Sequence, residues 1–388
     1  MAFPMEGLRV LDLSQAVSGP YAGRLLADLG ADVVKIEWPR GDITNVFGRK
    51  VAGLSGLFTQ MNVSKRGIGI DLSSTDGVEL VLKLADRADV LIENFRPGVL
   101  DRAGLGYRAL SARNPRLVML SISGFGQTSP ESQRQAYAPV IHAESGLLAR
   151  QAMLDDRAPA DLGLALADTL AALHGTIAVM ASLSLRHSTG RGQHIDLGML
   201  EAMVASDDYT HNSIDEVDKI YAPRGDIWSA PGGPIMIAAD PKTLWVRIAA
   251  HAKMPDPSPA GADVEAKIAA RAAAIAGWVA SFTNRDHLIA ELEAADLPWA
   301  DLRTTTTLLE SPTLKEADLV AYVDDHAGGQ RGVVRLPYRF SDADCEVRGP
   351  APARGQHNAE VLADWLGLTP DQVAELEISG ALTQSPSD

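Results

Sequence analysis

The chain has 388 residues, 46% hydrophobic and 22% charged, with a formal net charge of −15. That length suggests two domains, and the excess of acid excludes nucleic acid and anionic membrane as partners, since both would repel it. The one cysteine, Cys345 in "DADCEVRG", excludes an internal disulfide framework and has no metal-ligand spacing around it; it fits a reducing cytoplasm.

The N-terminal stretch "MAFPMEGLRVLDLS" has neither a basic nor an apolar export region. In it, "LRVLDLS" (8–14) reads as a buried strand. "SGPYAGRLLADLG" (18–30) follows as a helix stopped by Gly30, and "ADVVKIE" (31–37) is the next strand. After "GIGIDLSS", the segment "TDGVELVLKLADRA" reads as a helix and "DVLIENF" (89–95) as a strand. "YRALSARNP" then gives a short helix, and "RLVMLSISGFG" (116–126) a further strand. Mostly apolar strands alternating with helices imply a parallel sheet covered on both faces.

"GFGQTSPESQRQAYAP" (124–139) is a polar loop expected over a site. "LALADTLAALHGTIAVMASLSL" (164–185) is a long helix, predicted as core rather than membrane because it is rich in alanine and carries Asp168 and His174. "STGRGQHIDLGMLEAMVAS" predicts a turn, a strand and a helix. From about Asn212 the character changes to a Gly/Pro turn with a strand, "APGGPIMIAAD", and then Ala-rich helices. A turn-rich stretch and two helices, "AEVLADWLGL" and "TPDQVAELEISGAL", close the chain.

No G-x-G-x-x-G follows the first strand, where the turn reads "SQAVSGPYAG". G-x-x-x-x-G-K-[ST], G-x-S-x-G and metal-spaced His/Cys/acid clusters are also absent. The notable acid is Asp168. Two compatible readings fit it: a helix N-cap, or a reactive carboxylate favoured by the helix dipole. "ENFRPGVLDR" (93–102) ends a strand, where open α/β sheets bind ligands. There Arg96 and Arg102 suit phosphates and Phe95 offers a flat apolar face; a solvated strand end fits equally. "EWPRGD" places Trp38 and Arg40 at the same edge, for a stacked purine and a phosphate or for packing on a neighbouring helix. Gly124 and Gly126 offer amide donors for an oxyanion or simply a turn. His142 reads as a solvated loop histidine and His174 as a satisfied core histidine.

In this order the pieces resemble the class III CoA-transferases, the family of formyl-CoA transferase and carnitine CoA-transferase, which also includes α-methylacyl-CoA racemase. The matching stretches are "GLRVLDLSQAVSGPYAGRLLADLGADVVKIEWPRGD", "NVSKRGIGIDL", "ADVLIENFRPGVLDRAGLGY", "NPRLVMLSISGFGQ", "ADTLAALHGTIAVMASL" and "TGRGQHIDLGMLEA". The closing "RGQHNAEVLADWLGLTPDQVAELEISGAL" matches as well.

The resemblance implies a Rossmann-like parallel-sheet domain (1–205), long linkers with a smaller α+β domain (206–325), and a C-terminal segment (326–388) returning to the large domain. It further implies an interlocked homodimer. Asp168 takes the catalytic position, forming an aspartyl–acyl anhydride and then an aspartyl-CoA thioester. Coenzyme A enters as acyl-CoA substrate, with a carboxylic acid as acceptor, and no metal or redox cofactor is called for. The implied coenzyme A contacts are Trp38, Leu72, Asn94, Phe95, Arg96 and Arg102, with Val17, Arg40 and Tyr137 beside them. Gly124 and Gly126, or the turn at Gly232 and Gly233, are the oxyanion candidates.

The departures bear on substrate. Val17 replaces the formyl-CoA transferase glutamine and Leu57 its pocket tyrosine, giving a more apolar pocket that disfavours oxalate and formate. The region "YAPRGDIWSAPGGPIM" is shorter than that enzyme's glycine-rich loop. Tyr137 stands where the racemase branch has its histidine; a group with a pKa near 10 is a poor base at neutral pH, which favours transfer over racemisation. The alternatives are an acyl-CoA epimerase or isomerase and a non-catalytic CoA-binding protein.

Overall fold

The computed structural model describes residues 2–215 and 225–384. The chain divides into a larger unit, residues 1–208 with 318–388, and a smaller one, residues 209–317.

The larger unit is built on six strands: β1 (Arg9–Asp12), β2 (Asp32–Glu37), β3 (Arg66–Gly69), β4 (Val90–Glu93), β5 (Val118–Ser123) and β6 (His194–Gly198). All pair in parallel, in the order β3-β2-β1-β4-β5-β6. The chain builds outward from β1 on one side and then restarts at β4 on the other. The gap beyond the carboxyl ends of β1 and β4 is therefore a topological switch point.

Side chains alternate along these strands into two cores. Val10, Val90, Ile92, Leu120 and Ile122 join one core; Leu11, Leu91 and Met119 join the other. The first is covered by α1 (Ser18–Asp28) and by α5 (Leu166–Thr189). The second is covered by α2 (Thr75–Ala85), α3 (Tyr107–Arg113) and two C-terminal helices given below. α5 is long and apolar enough to cross a membrane. In the fold, however, it buries Ala167, Ala171, Ala172, Gly175, Val179 and Leu183 against the sheet and α1. The short helix α4 (Ala138–Glu144) precedes it and α6 (Met199–Ser206) follows β6.

The smaller unit pairs β7 (Gly225–Trp228), β8 (Ile235–Ala238) and β9 (Trp299–Asp301) as an antiparallel sheet. Helices α7 (Pro241–Ala252), α8 (Val264–Ala280) and α9 (Arg285–Ala294) pack around Ile235, Ile237, Trp245, Ile248, Val279 and Leu288. Residues 221–224 of the short middle segment lie outside the described residues.

A hairpin, β10 (Val320–Asp324) with β11 (Gln330–Val334), leads back into the larger unit. There α10 (Asn358–Leu366) and α11 (Pro370–Ile378) close the second core with Val361, Leu362 and Trp365. The return is fastened to the edge strand β3. Gly69 N–H donates to the Asn358 side chain at 3.0 Å, and Thr383 N–H donates to the Gly69 carbonyl at 2.9 Å. A Cβ at Gly69 would lie 2.1 Å from the Thr383 oxygen, so only glycine allows this approach.

Candidate active site

The loop from β1 into α1 is held from below by charges that water does not reach. Lys65 Nζ bonds Asp12 at 2.8 Å, the Pro20 carbonyl at 2.7 Å and Asn62 at 2.9 Å. Lys35 bonds Asp42 at 3.2 Å and also donates to the Ser14 carbonyl. The side chains of all four ions are fully buried. Burial pushes Asp12 up, but Lys65 and Lys35 outweigh it and hold its carboxyl below the ordinary value.

From above, Asn94 at the end of β4 closes the same loop. Its Oδ1 accepts from Gln15 N–H at 2.8 Å; its Nδ2 donates to the Gln15 carbonyl at 2.7 Å and to Ser18 Oγ at 3.1 Å. Ala16 N–H donates to Asp42 at 3.2 Å. Ala16 itself has φ +64°, a left-handed conformation that costs a non-glycine residue about 1–3 kcal/mol. The braces on either side keep it there.

This rigid turn presents Ser18 to Asp168. Ser18 lines the same cavity as Asp168, and its amide and hydroxyl favour the charged form of that carboxylate. That hydroxyl also accepts from Asn94, so the brace that holds the turn reaches Ser18 itself. The α5 helix starts at Leu166 with Ala165 before it, so Asp168 is the third helical residue and not the N-cap. Burial pushes its carboxyl above the ordinary value, opposed by Ser18 and by its own N–H.

Asp168 lines a cavity of about 190 Å³ at the switch point, with Gln15, Ser18, Asn94, Phe95 and Arg96 on one side. The polar loop supplies Ser132, Arg134, Gln135, Ala136 and Tyr137, while Ile43, Ile122 and Met199 give it apolar walls. Asp168 is the one acid among the described lining residues. Gly124 also lines it; a Cβ there would meet that of Ala136 at 2.3 Å, so glycine lets the loop close down.

The remaining expected residues are placed as follows. The Trp38 and Phe95 rings stand 5.2 Å apart, with the Arg40 guanidinium 5.5 Å from the Trp38 ring. Arg102 turns its guanidinium under Gly98. Val17, Gly126 and Leu72 are not among the lining residues. The Val17 carbonyl opens α1 by accepting from Tyr21 N–H at 2.8 Å. Gly126 sits over β6, followed by a bond from Gln127 N–H to Asp196 at 2.9 Å. Leu72 packs into the second core. Gly232 and Gly233 belong to the smaller unit, where Arg285 ties their turn through the Pro231 and Gly233 carbonyls at 2.9 Å.

His142 departs from expectation: it is fully buried, not solvated. His174 is half-buried and bonds Ser206 at 2.8 Å. Sequence reasoning missed Ser18, whose one signal was a serine opening a helix in "SGPYAG". It also missed Ser123, the last residue of β5, whose buried hydroxyl has no partner among the described residues.

The chain is 32% identical to succinyl-CoA–D-citramalate CoA-transferase of Chloroflexus aurantiacus, over 96% of this chain and 97% of that one. It is 30% identical to formyl-CoA:oxalate CoA-transferase of Streptomyces avermitilis, over 98% and 100%. Among solved structures, a CAIB/BAIF family protein from Brucella suis superposes with a TM-score of 0.81 at 31% identity, covering 94% of this chain and 100% of that one. Rv3272 from Mycobacterium tuberculosis gives 0.78 at 29%, covering 92% and 99%. The sequence profile described as CoA-transferase family III matches residues 5–358, and with near-complete relatives of that activity at this identity, the chain belongs to CoA-transferase family III.

Proposed function

We propose that this enzyme moves coenzyme A from an acyl-CoA to a carboxylic acid with Asp168 as nucleophile. The observation that carries the proposal is the lone carboxylate in the switch-point cavity, pushed up by burial while neighbouring Ser18 favours its charged form. Water blunts a carboxylate's nucleophilicity; partial desolvation and fixed orientation restore it. Asp168 attacks the thioester carbonyl, the C–S bond breaks, and CoA thiolate leaves an aspartyl–acyl anhydride. The thiolate then attacks the aspartyl carbonyl, giving an aspartyl-CoA thioester and releasing the first acid. The acceptor carboxylate runs the two steps in reverse and departs as the new acyl-CoA, regenerating Asp168. The Ser123 hydroxyl and the Gly124 amide are the proposed donors to the tetrahedral oxyanions.

Coenzyme A is placed with its adenine against Trp38 and Phe95 and its phosphates at Arg40, Arg96 and Arg102. The relatives' named acids, citramalate and oxalate, suggest a small acid as acceptor. The apolar walls Ile43, Ile122 and Met199 favour the one with more carbon. A homodimer is part of the proposal. The larger unit leaves Ile177, Met180 and Phe340 exposed around an apolar cavity of about 290 Å³, a surface suited to a second chain.

The test is trapping. Incubated with succinyl-CoA and hydroxylamine, the enzyme is expected to carry a hydroxamate at Asp168 in the tryptic map. Acyl exchange without modification there would refute the covalent route. Because burial raises the Asp168 pKa, kcat/KM should climb with pH along a limb centred above the ordinary aspartate value of 3.8. Ser18→Ala removes a hydroxyl that favours the charged form, so the limb moves to higher pH. A pH–rate profile of both proteins checks the order.

A further inference from the structure

We propose that His142 is a positioning residue for Asp168, acting as the missing cap of the helix that carries it; this rests on Asp168 being the nucleophile. The residue before α5 is Ala165, whose side chain has nothing to offer the unpaired amides of the first turn. His142, on α4, takes that role from outside the helix. Its Nε2 accepts from Ala167 N–H at 3.3 Å, the amide that an N-cap side chain ordinarily satisfies. Its Nδ1 meets Asp161 Oδ1 at 3.0 Å, in the loop leading into the helix.

The two contacts fix the tautomer. An Nε2 that faces an N–H must present its lone pair, so the ring proton sits on Nδ1 and is donated to Asp161. That hydrogen bond holds the Asp161 carboxyl below its ordinary value. The carboxylate in turn keeps the proton on Nδ1 and the lone pair on Nε2. Neither nitrogen is left to act on a substrate, and the ring is fully buried. His142 therefore does not exchange protons in the reaction. What it does instead follows from its place in the chain, five residues after Tyr137 on the cavity wall and bonded to the residue immediately before Asp168. One imidazole fastens the cavity wall, the entry loop and the first turn of the nucleophile's helix together.

Side-chain reach allows a discriminating test. A glutamine can place Oε1 where Nε2 stood and still accept from Ala167. An asparagine reaches Asp161 but not Ala167. His142→Asn is expected to lower kcat by roughly 10- to 100-fold, the cost of a nucleophile displaced by about an ångström, with KM within about twofold. His142→Gln is expected to stay within about threefold of the parent kcat. A residue that merely filled space would give both variants the same kcat, and that result would overturn the proposal.

Should either variant fail to fold, the parent enzyme still decides. A two-bond ¹H–¹⁵N spectrum at neutral pH is expected to show the His142 proton on Nδ1; a proton on Nε2 refutes the cap. The outcomes separate from those of the underlying reading. Hydroxamate at Asp168 together with full turnover in His142→Asn overturns this inference alone, whereas an Asp168 variant that still transfers coenzyme A overturns the nucleophile assignment.

Discussion

Replacing Asp168 by asparagine or alanine is expected to lower kcat for coenzyme A transfer by about 10⁴-fold or more, while the fold melts no lower than the parent at neutral pH. The loss is large because no other carboxylate among the described lining residues is there to take over the attack. Asparagine isolates the chemistry. Its side chain keeps the carboxylate's shape, and the turn stays braced by the Asn94 bonds to Gln15 and Ser18 while the nucleophile is gone. The stability expectation follows from the direction of the pKa shift. A carboxyl raised in the fold contributes stability that is fully present below its unfolded pKa and is lost as pH rises through the folded pKa. As pH rises the parent loses that contribution; the asparagine variant has none to lose. Its Tm at pH 7 should equal or exceed the parent's, and the gap should close as the pH is lowered toward the aspartate range. A variant that binds acyl-CoA, melts as the parent does and still transfers at the parent rate would move the nucleophile elsewhere.

The sequence carried Asp168 openly, as one acid in an apolar helix, because that contrast is local. It did not show what aims the carboxylate. Ser18 and Asn94 are 76 residues apart, and they meet only because β1 and β4 become neighbours at the switch point. The same limit misplaced His142. Read along the chain it follows a polar loop and looks solvated; in the fold it is sealed by Asp161 and Ala167, 19 and 25 residues further on. Leu72 shows the opposite case, where a family position is occupied by a side chain whose apolarity draws it into the second core. In the larger unit β1, β2, β4 and β5 were legible from their apolar runs, whereas β3, half of it glycine, and the hairpin of β10 and β11 were not. In the smaller unit β7 and β9 were not, because each is a short edge strand that pairs only with β8, and three helices separate β8 from β9 in the chain.

The buried charges beneath the Ser14–Ser18 turn carry the second large effect. Lys65→Met is expected to destabilise the larger unit by about 3–5 kcal/mol, the usual cost of removing one partner of a buried ion pair. Against a total of about 5–15 kcal/mol for a domain, that lowers the denaturation midpoint markedly. The substitution strands more than Asp12: the Asn62 side chain and the Pro20 carbonyl lose the same ammonium. Lys35 does not make good the loss, since its own ammonium is committed to Asp42 and Ser14. The pH dependence identifies the cause. In the parent, Asp12 is held below its ordinary pKa, so its contribution is present above the unfolded value and fades as pH falls through the folded one. Without Lys65, burial prevails and raises that pKa, so stability should improve as pH falls toward it. The two proteins therefore have opposite slopes in the acid range, and the deficit narrows there. Adding Asp12→Asn removes the stranded charge and keeps an acceptor for Ser14 N–H, which bonds Asp12 Oδ1 at 3.0 Å. The double variant should recover about 1–2 kcal/mol of the loss, the size of coupling measured between contacting charges. Urea titrations at two pH values measure each of these differences, and a Lys65→Met protein within about 1 kcal/mol of the parent would show that the turn does not depend on this pair.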